Sequence, residues 1–377
     1  MPTPSALYIH LPFCIRRCAY CAFASSVYEE GAADAYLEAL FQEGARQTAG
    51  MTPTTVYVGG GTPTSLSAAQ LERLLAWIQA LPQERLEEFS GEANPGTLTP
   101  DKARLLRDAG VTRVSVGIQT FDPQGLRLLG RAHTAKQAHG AVALLREEGF
   151  EAISGDLLCG WPGQTADLWR CDLAEALRLD LPHLSCYGLH YEPGTPLHAQ
   201  RERGQLRPLG EEEDRLLFDL TGEILEANGR PRYEISNFAI PGRECRHNRV
   251  YWTGGEYIGI GAGAFSYVAG VRFANEADVQ GYVRALHERG EARAFEESLP
   301  PERRARECAV IWLRLTEGIE AAGFRDRTGF DLEALLAGDL PTLLEGGWLA
   351  WNADRTHLRL TAKTLPVADS VLAELVG

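Results

Sequence analysis

The chain has 377 residues, 45% of them apolar and 23% charged, a globular balance with room for one large domain and a smaller one. That balance excludes disorder as a description of the whole chain. A formal charge of −14 repels phosphate backbones, which excludes general nucleic-acid binding and leaves room only for a local basic pocket.

At the N-terminus there is no basic signal region, and the apolar run Ala6–Phe13 is broken by His10 and Pro12. No later run approaches the ~20 apolar residues that cross a bilayer. The expectation is a cytoplasmic protein with no membrane span. Eight cysteines in such a chain argue against a disulfide framework. Three lie between residues 14 and 21; Cys159, Cys171, Cys186, Cys245 and Cys308 are scattered, and scattered cysteines are usually small buried apolar residues.

Up to about Tyr191, short β-rich runs alternate with helical patterns. The predicted strands are Ala6–His10, Thr55–Val58, Glu88–Glu92, Arg113–Ile118, Ala152–Leu157 and Leu184–Leu189. Helical patterns cover Ala33–Ala45, Ala68–Ala80, Pro100–Ala109, Ala135–Glu148 and Asp167–Leu179, with Thr99 and Asp167 as N-caps and Gly110 and Gly149 as stops. Six βα repeats imply an α/β fold, a parallel partial (β/α)6 barrel whose chemistry collects at the C-terminal ends of its strands. A helix is expected over Glu211–Asn228. An irregular, aromatic- and Gly-rich stretch follows from Tyr233 to Phe273. The tail pairs helices with a hairpin (Trp348–Trp351, His357–Leu360), which suggests a small winged-helix-like α+β domain. The expected division is 1–230, 231–295 and 296–377. Gly259, Gly261 and Gly263 read as a tight turn, because no dinucleotide-binding context surrounds them.

Directly after the first strand come Cys14, Cys18 and Cys21 on one short loop. Three thiols can each ligate one iron of a cubane cluster and leave the fourth iron open to a small chelating ligand. Structural zinc wants four ligands, and no fourth Cys or His stands nearby at a matching spacing. The CxxxCxxC spacing after a first strand resembles the radical S-adenosylmethionine superfamily. The wider run from Tyr8 to Cys14 is similar to the branch that contains oxygen-independent coproporphyrinogen dehydrogenase and the heme chaperones of the HemW family.

That resemblance implies a radical SAM barrel holding a [4Fe–4S] cluster and S-adenosylmethionine, with Tyr8 and Tyr20 beside the cluster. It also implies that Gly60, Gly61 and Thr62, followed by Glu92, Gln119, Arg131 and Asp156, line the S-adenosylmethionine pocket. Physically, Arg131 can fork onto the methionine carboxylate, and Glu92, Gln119 and Asp156 offer acceptors for amino and hydroxyl groups. Reduction of the cluster would give a 5′-deoxyadenosyl radical; whether this chain does so stays open.

Within the branch, seven residues precede Tyr8, fewer than the extension the dehydrogenases carry. Phe23 also stands where their pattern has a further cysteine. His247-Asn248-Arg249-Val250-Tyr251-Trp252 matches the HNxxYW motif of the heme chaperones. Imidazole and thiolate both ligate heme iron, so His247 is the first candidate ligand and Cys245 the second, with Tyr251 and Trp252 against the macrocycle. The implied function is a heme chaperone passing heme to apo-hemoproteins, with membrane respiratory proteins as transient recipients. The alternative is an oxygen-independent coproporphyrinogen III dehydrogenase.

Overall fold

Polar and apolar residues alternate along the N-terminal strands, and that alternation decides which strand face meets the helices. In the computed structural model, which describes residues 4–375, the strands are β1 (Ala6–Leu11), β2 (Thr55–Gly60), β3 (Glu88–Ala93), β4 (Arg113–Gln119), β5 (Ala152–Cys159) and β6 (His183–Gly188). All six lie parallel in chain order. Leu7, Ile9, Val56, Val58, Phe89, Val114, Val116, Ile153 and Leu184 are buried in one continuous core with the covering helices. The intervening residues, Tyr57, Ser90, Glu92, Ser115, Asp156 and Ser185, face a cavity on the concave side. Period-two geometry forces this division, because successive side chains on a strand point to opposite faces.

The helices are α1 (Glu30–Gln47), α2 (Ala68–Gln79), α3 (Pro100–Asp108), α4 (Pro123–Leu128), α5 (Ala135–Glu147), α6 (Ala166–Arg178), α7 (Pro196–Glu202) and α8 (Glu211–Ala227). Ser67, Thr99 and Thr134 cap α2, α3 and α5 through their hydroxyls. On α6 the cap is Thr165 rather than the expected Asp167, which lies in the first turn, where a carboxylate favours the helix dipole. Gly110 and Gly149 follow their helices with φ of 84° and 89°, as chain stops require.

Residues 231–295 differ from expectation. They are not an irregular insert but extend the sheet at both edges. β7 (Asn237–Ala239) runs antiparallel to β6, α9 (Arg246–Trp252) follows, and β8 (Tyr257–Ile260) lies parallel to β1 on its free side. β9 (Phe265–Val268), β10 (Val271–Asn275) and, after α10 (Val279–Arg289), β11 (Arg293–Ser298) continue antiparallel and complete an eleven-stranded sheet. The expected Gly turn is there, with Gly261 at φ 103° and Gly263 at φ 68° closing β8 onto β9. A Cβ at Gly261 would lie 2.6 Å from the His10 carbonyl, so the turn is pressed directly onto β1.

After β11 the chain enters α11 (Pro301–Trp312) and a small α+β unit with its own core of Leu313, Phe324, Leu336 and Leu358. The expected hairpin is joined by an unforeseen third strand. β12 (Ile319–Glu320), β13 (Leu349–Trp351) and β14 (His357–Leu360) pair in the order β12-β14-β13. No helix among the described residues is long and apolar enough to cross a membrane.

Candidate functional site

The loop after β1 turns away from the sheet and returns to it. Phe13–Cys14 pairs in parallel with Ser26–Val27, which pins both ends of the cysteine segment. Ala19 N donates to Leu129 O at 2.9 Å, tying the loop's middle to the end of α4. Cys14, Cys18 and Cys21 are all reduced and partly buried. Burial pushes the Cys14 thiol up to about 11 and raises Cys21 as well. Iron ligation needs thiolates, so the metal itself must drive the deprotonation. Among the described residues no three His, Cys, Asp or Glu side chains converge on a single ion.

The three cysteines line one cavity of about 530 Å3 with Tyr20, Gly60, Gly61, Thr62, Glu92, Gln119, Arg131 and Asp156. Of the residues expected at this site, Tyr8 and His247 stay outside that lining. The Tyr8 hydroxyl lies 3.0 Å from His10 Nδ1, and His10 Nε2 donates to Ala24 O at 2.8 Å, so the ring accepts from Tyr8. Tyr8 thus supports the loop from below.

Arg131 Nη1 donates to Cys18 Sγ at 3.2 Å and Nη2 to Gly117 O at 2.7 Å, while its buried Nε has no partner. Gly117 makes room for this arm, since a Cβ there would stand 3.1 Å from Nη2. Gln119 has φ 68° at a bulge in the β4–β5 register, a left-handed backbone rare outside glycine and typical of functional sites. Gly60 sits at φ 106°, where a Cβ would fall 2.3 Å from the His10 ring; at Gly61 it would meet Leu11 O at 2.8 Å. The glycine run is therefore required by the chain's own packing, whatever else it admits.

Two carboxylates face each other inside. Glu92 accepts from Tyr57 Oη at 2.9 Å and from Gly60 N at 3.1 Å. Burial, and then the charge of Asp156, push it up to about 7 against those two donors. Asp156 is raised by burial too, although Ser115 Oγ donates to it at 2.9 Å.

Below this layer lies one that strand-end reasoning missed. Ser90, Arg113, Ser115, Ser154, His183 and Ser185 line the same cavity, several residues upstream of the strand ends. Their signal was the period-two run of polar residues within strands otherwise apolar. Arg113 pairs with Glu88 at 3.1 Å and leaves Nη1 buried without a partner. Cys245, the N-cap of α9, and Asn248 within it close the inner end.

His247 is fully buried on α9. Its Nδ1 lies 2.8 Å from Thr55 Oγ1 and its Nε2 2.7 Å from Tyr251 Oη, and burial lowers its pKa to about 4. Both nitrogens are engaged, so axial ligation by His247 would have to displace Thr55 or Tyr251. Cys245, the second candidate, donates to Glu88 Oε1 at 3.4 Å, and burial pushes it up to about 12.

A model of the Radical SAM superfamily matches residues 8–171, and one of the HemN C-terminal domain matches 299–367. The chain is 38% identical to the heme chaperone HemW of Lactococcus lactis over 99% of its own length and 97% of that protein. The chain belongs to the HemW family. The HemW of Bacillus subtilis is 36% identical over 95% of the chain. The solved coproporphyrinogen III oxidase (HemN) of Escherichia coli superposes with a TM-score of 0.85 over 99% of the chain at 23% identity, a likeness of fold. The superfamily's cofactors are a [4Fe–4S] cluster and S-adenosylmethionine. In this HemW-family chain the three thiols, the unpartnered Arg131 Nε and the buried carboxylate pair fit both.

Proposed function

We propose that this chain is a cytoplasmic heme chaperone, holding a cluster and S-adenosylmethionine at the barrel mouth and passing heme to apo-hemoproteins. The observation that carries this is the 38% identity with a HemW over nearly the full length of both chains. Cys14, Cys18 and Cys21 hold the cluster. When bound, the cluster supplies an open iron for S-adenosylmethionine and a source of one electron. Arg131 takes the methionine carboxylate, the side chains of Glu92 and Asp156 accept from its amino and ribose hydroxyl groups, and Gln119 orients them. Tyr20 shields the cluster from water beside Arg131. Heme is cargo, held near the aromatic end of α9. Recipients include membrane respiratory hemoproteins, met transiently.

The test is an anaerobic heme titration of the cluster-loaded protein followed by mixing with an apo-hemoprotein such as apomyoglobin. Saturable binding and transfer of heme to the acceptor are expected. Absence of saturable binding would overturn the chaperone function. Assay of coproporphyrinogen III for vinyl products would then test the dehydrogenase chemistry.

A further inference from the structure

α9 stands between two cavities. Cys245 and Asn248, at its start, close the barrel cavity, while Tyr251 and Trp252, at its end, wall a separate groove. The groove lies between the β8–β10 edge and the C-terminal unit and has a volume of about 650 Å3, within the ~300–1,000 Å3 of small-molecule sites. Tyr257 and Tyr267 add aromatic faces that suit a flat apolar macrocycle.

Cys308 of α11 lines the groove from the opposite side. A Cβ at Gly254 would stand 2.5 Å from its Sγ, so the sulfur abuts the backbone just beyond the HNxxYW helix. Burial pushes this thiol up to about 11, and the guanidiniums of Arg327 and Arg304 act on it in the opposite sense. Both arginines line the groove. Arg304 lies over Gly270, its guanidinium against the glycine backbone. Neither forms an ion pair among the described residues, whereas Arg272 beside them is held by Glu297 and Glu307. Two cations without acidic partners flank one sulfur. The carboxylates of Glu256, Glu307 and Asp326 also reach the groove, and Glu307 raises the thiol against the arginines, so this is a local pair and not a general basic patch.

Resting on the heme-chaperone function, we propose that heme is seated in this groove, with Cys308 Sγ on its iron and Arg304 and Arg327 on its two propionates. On binding, the thiol proton leaves to solvent, a sulfur lone pair forms the Fe–S bond and a water departs from ferric iron, with no electron transferred. His247 is a positioning residue: its Nε2 holds the Tyr251 hydroxyl and so fixes the aromatic wall.

The experiment is a titration of the cluster-loaded full chain with ferric protoporphyrin IX, followed by absorbance and ferric-heme EPR. Wild type, Cys308→Ser, Arg304→Ala/Arg327→Ala and His247→Ala are compared. Cys308→Ser loses the thiolate signature. The double arginine variant binds roughly tenfold more weakly per lost charge-assisted contact. His247→Ala weakens binding and keeps the thiolate signature. Wild type binds heme dimethyl ester as weakly as the arginine variant binds heme, a comparison that needs no mutation and so is independent of folding. An unchanged spectrum in Cys308→Ser, a signature lost only in His247→Ala, or equal binding of heme and its dimethyl ester overturns the seat alone. Wild type that binds no heme overturns the chaperone function and the seat together.

Discussion

Glu92 is the residue whose environment has the clearest consequence in solution. Its carboxyl is raised from an ordinary 4.5 to about 7 by burial and by Asp156. A raised folded pKa means that the neutral form is favoured by folding. The contribution is therefore whole below about pH 4.5 and is lost as pH rises through about 7. The loss amounts to at most about 3 kcal/mol. Thermal midpoints of the ligand-free chain should fall between pH 5 and 8 relative to those of Glu92→Gln; parallel profiles would show that Glu92 titrates normally. Arg131→Ala should weaken S-adenosylmethionine binding at least about tenfold, as loss of a charge-assisted contact does, measured by calorimetry on the cluster-loaded protein. Undiminished affinity would take Arg131 out of the carboxylate role. Glu92 was legible as a polar group at a strand end, whereas Arg131, in the connection between α4 and α5, was legible only through the family resemblance. Ser90, Ser115 and Ser154 were not singled out: their period-two placement marks the strand face they occupy, but a serine gains a chemical role only when neighbouring strands put other polar groups beside it.

At the scale of elements, the glycine run after β2 is a packing joint. Gly60 combines φ 106° with a would-be Cβ 2.3 Å from His10. Gly60→Ala should therefore cost about 2 kcal/mol or more, since the strain and the clash add. Chemical denaturation measures this, and a loss below ~0.5 kcal/mol would show that β1 shifts to accept the methyl group. Thr134→Ala, which removes the capping box of α5, should cost ~1 kcal/mol in the same assay. The βα repeats were readable because each strand or helix has a periodic pattern and a cap. Helix α9 and strand β8 were not: α9 has seven residues, too few for a helical period, and β8 has four, one of them Gly259. Their conformations come from partners distant in sequence. Glu88 binds the Arg246 and His247 amides at the start of α9, and β1 pairs with β8.

Across the whole molecule, Glu88 joins the barrel to the groove. One buried carboxylate takes Arg113 at 3.1 Å and the α9 amides of Arg246 at 3.1 Å and His247 at 3.0 Å. Its pKa is lowered overall: burial alone would raise it, but Arg113 and the amides outweigh burial. The stability it contributes is therefore present above the ordinary carboxylate range and lost as pH falls through its depressed value. Glu88→Ala leaves Arg113 buried without its counter-ion and frees α9, so a loss of ~3–5 kcal/mol is expected by denaturation. The double variant Glu88→Ala/Arg113→Met should recover part of that loss. If Glu88→Ala is nearly neutral, the joint carries no load.

Local patterns in the sequence determined the six βα units, the thiol loop and the polar strand ends, because strand alternation, helix caps and the CxxxCxxC spacing need no distant partner to be recognised. Tertiary structure alone decided three things. It turned residues 231–295 into sheet edges, because a short strand forms only when a neighbour supplies its hydrogen bonds. It occupied both nitrogens of His247, which the motif by itself presents as free. And it brought Cys308, an isolated cysteine some sixty residues beyond the motif, against Gly254 beside Tyr251 and Trp252. Packing between two units of the chain creates that proximity, and no pattern within either unit encodes it.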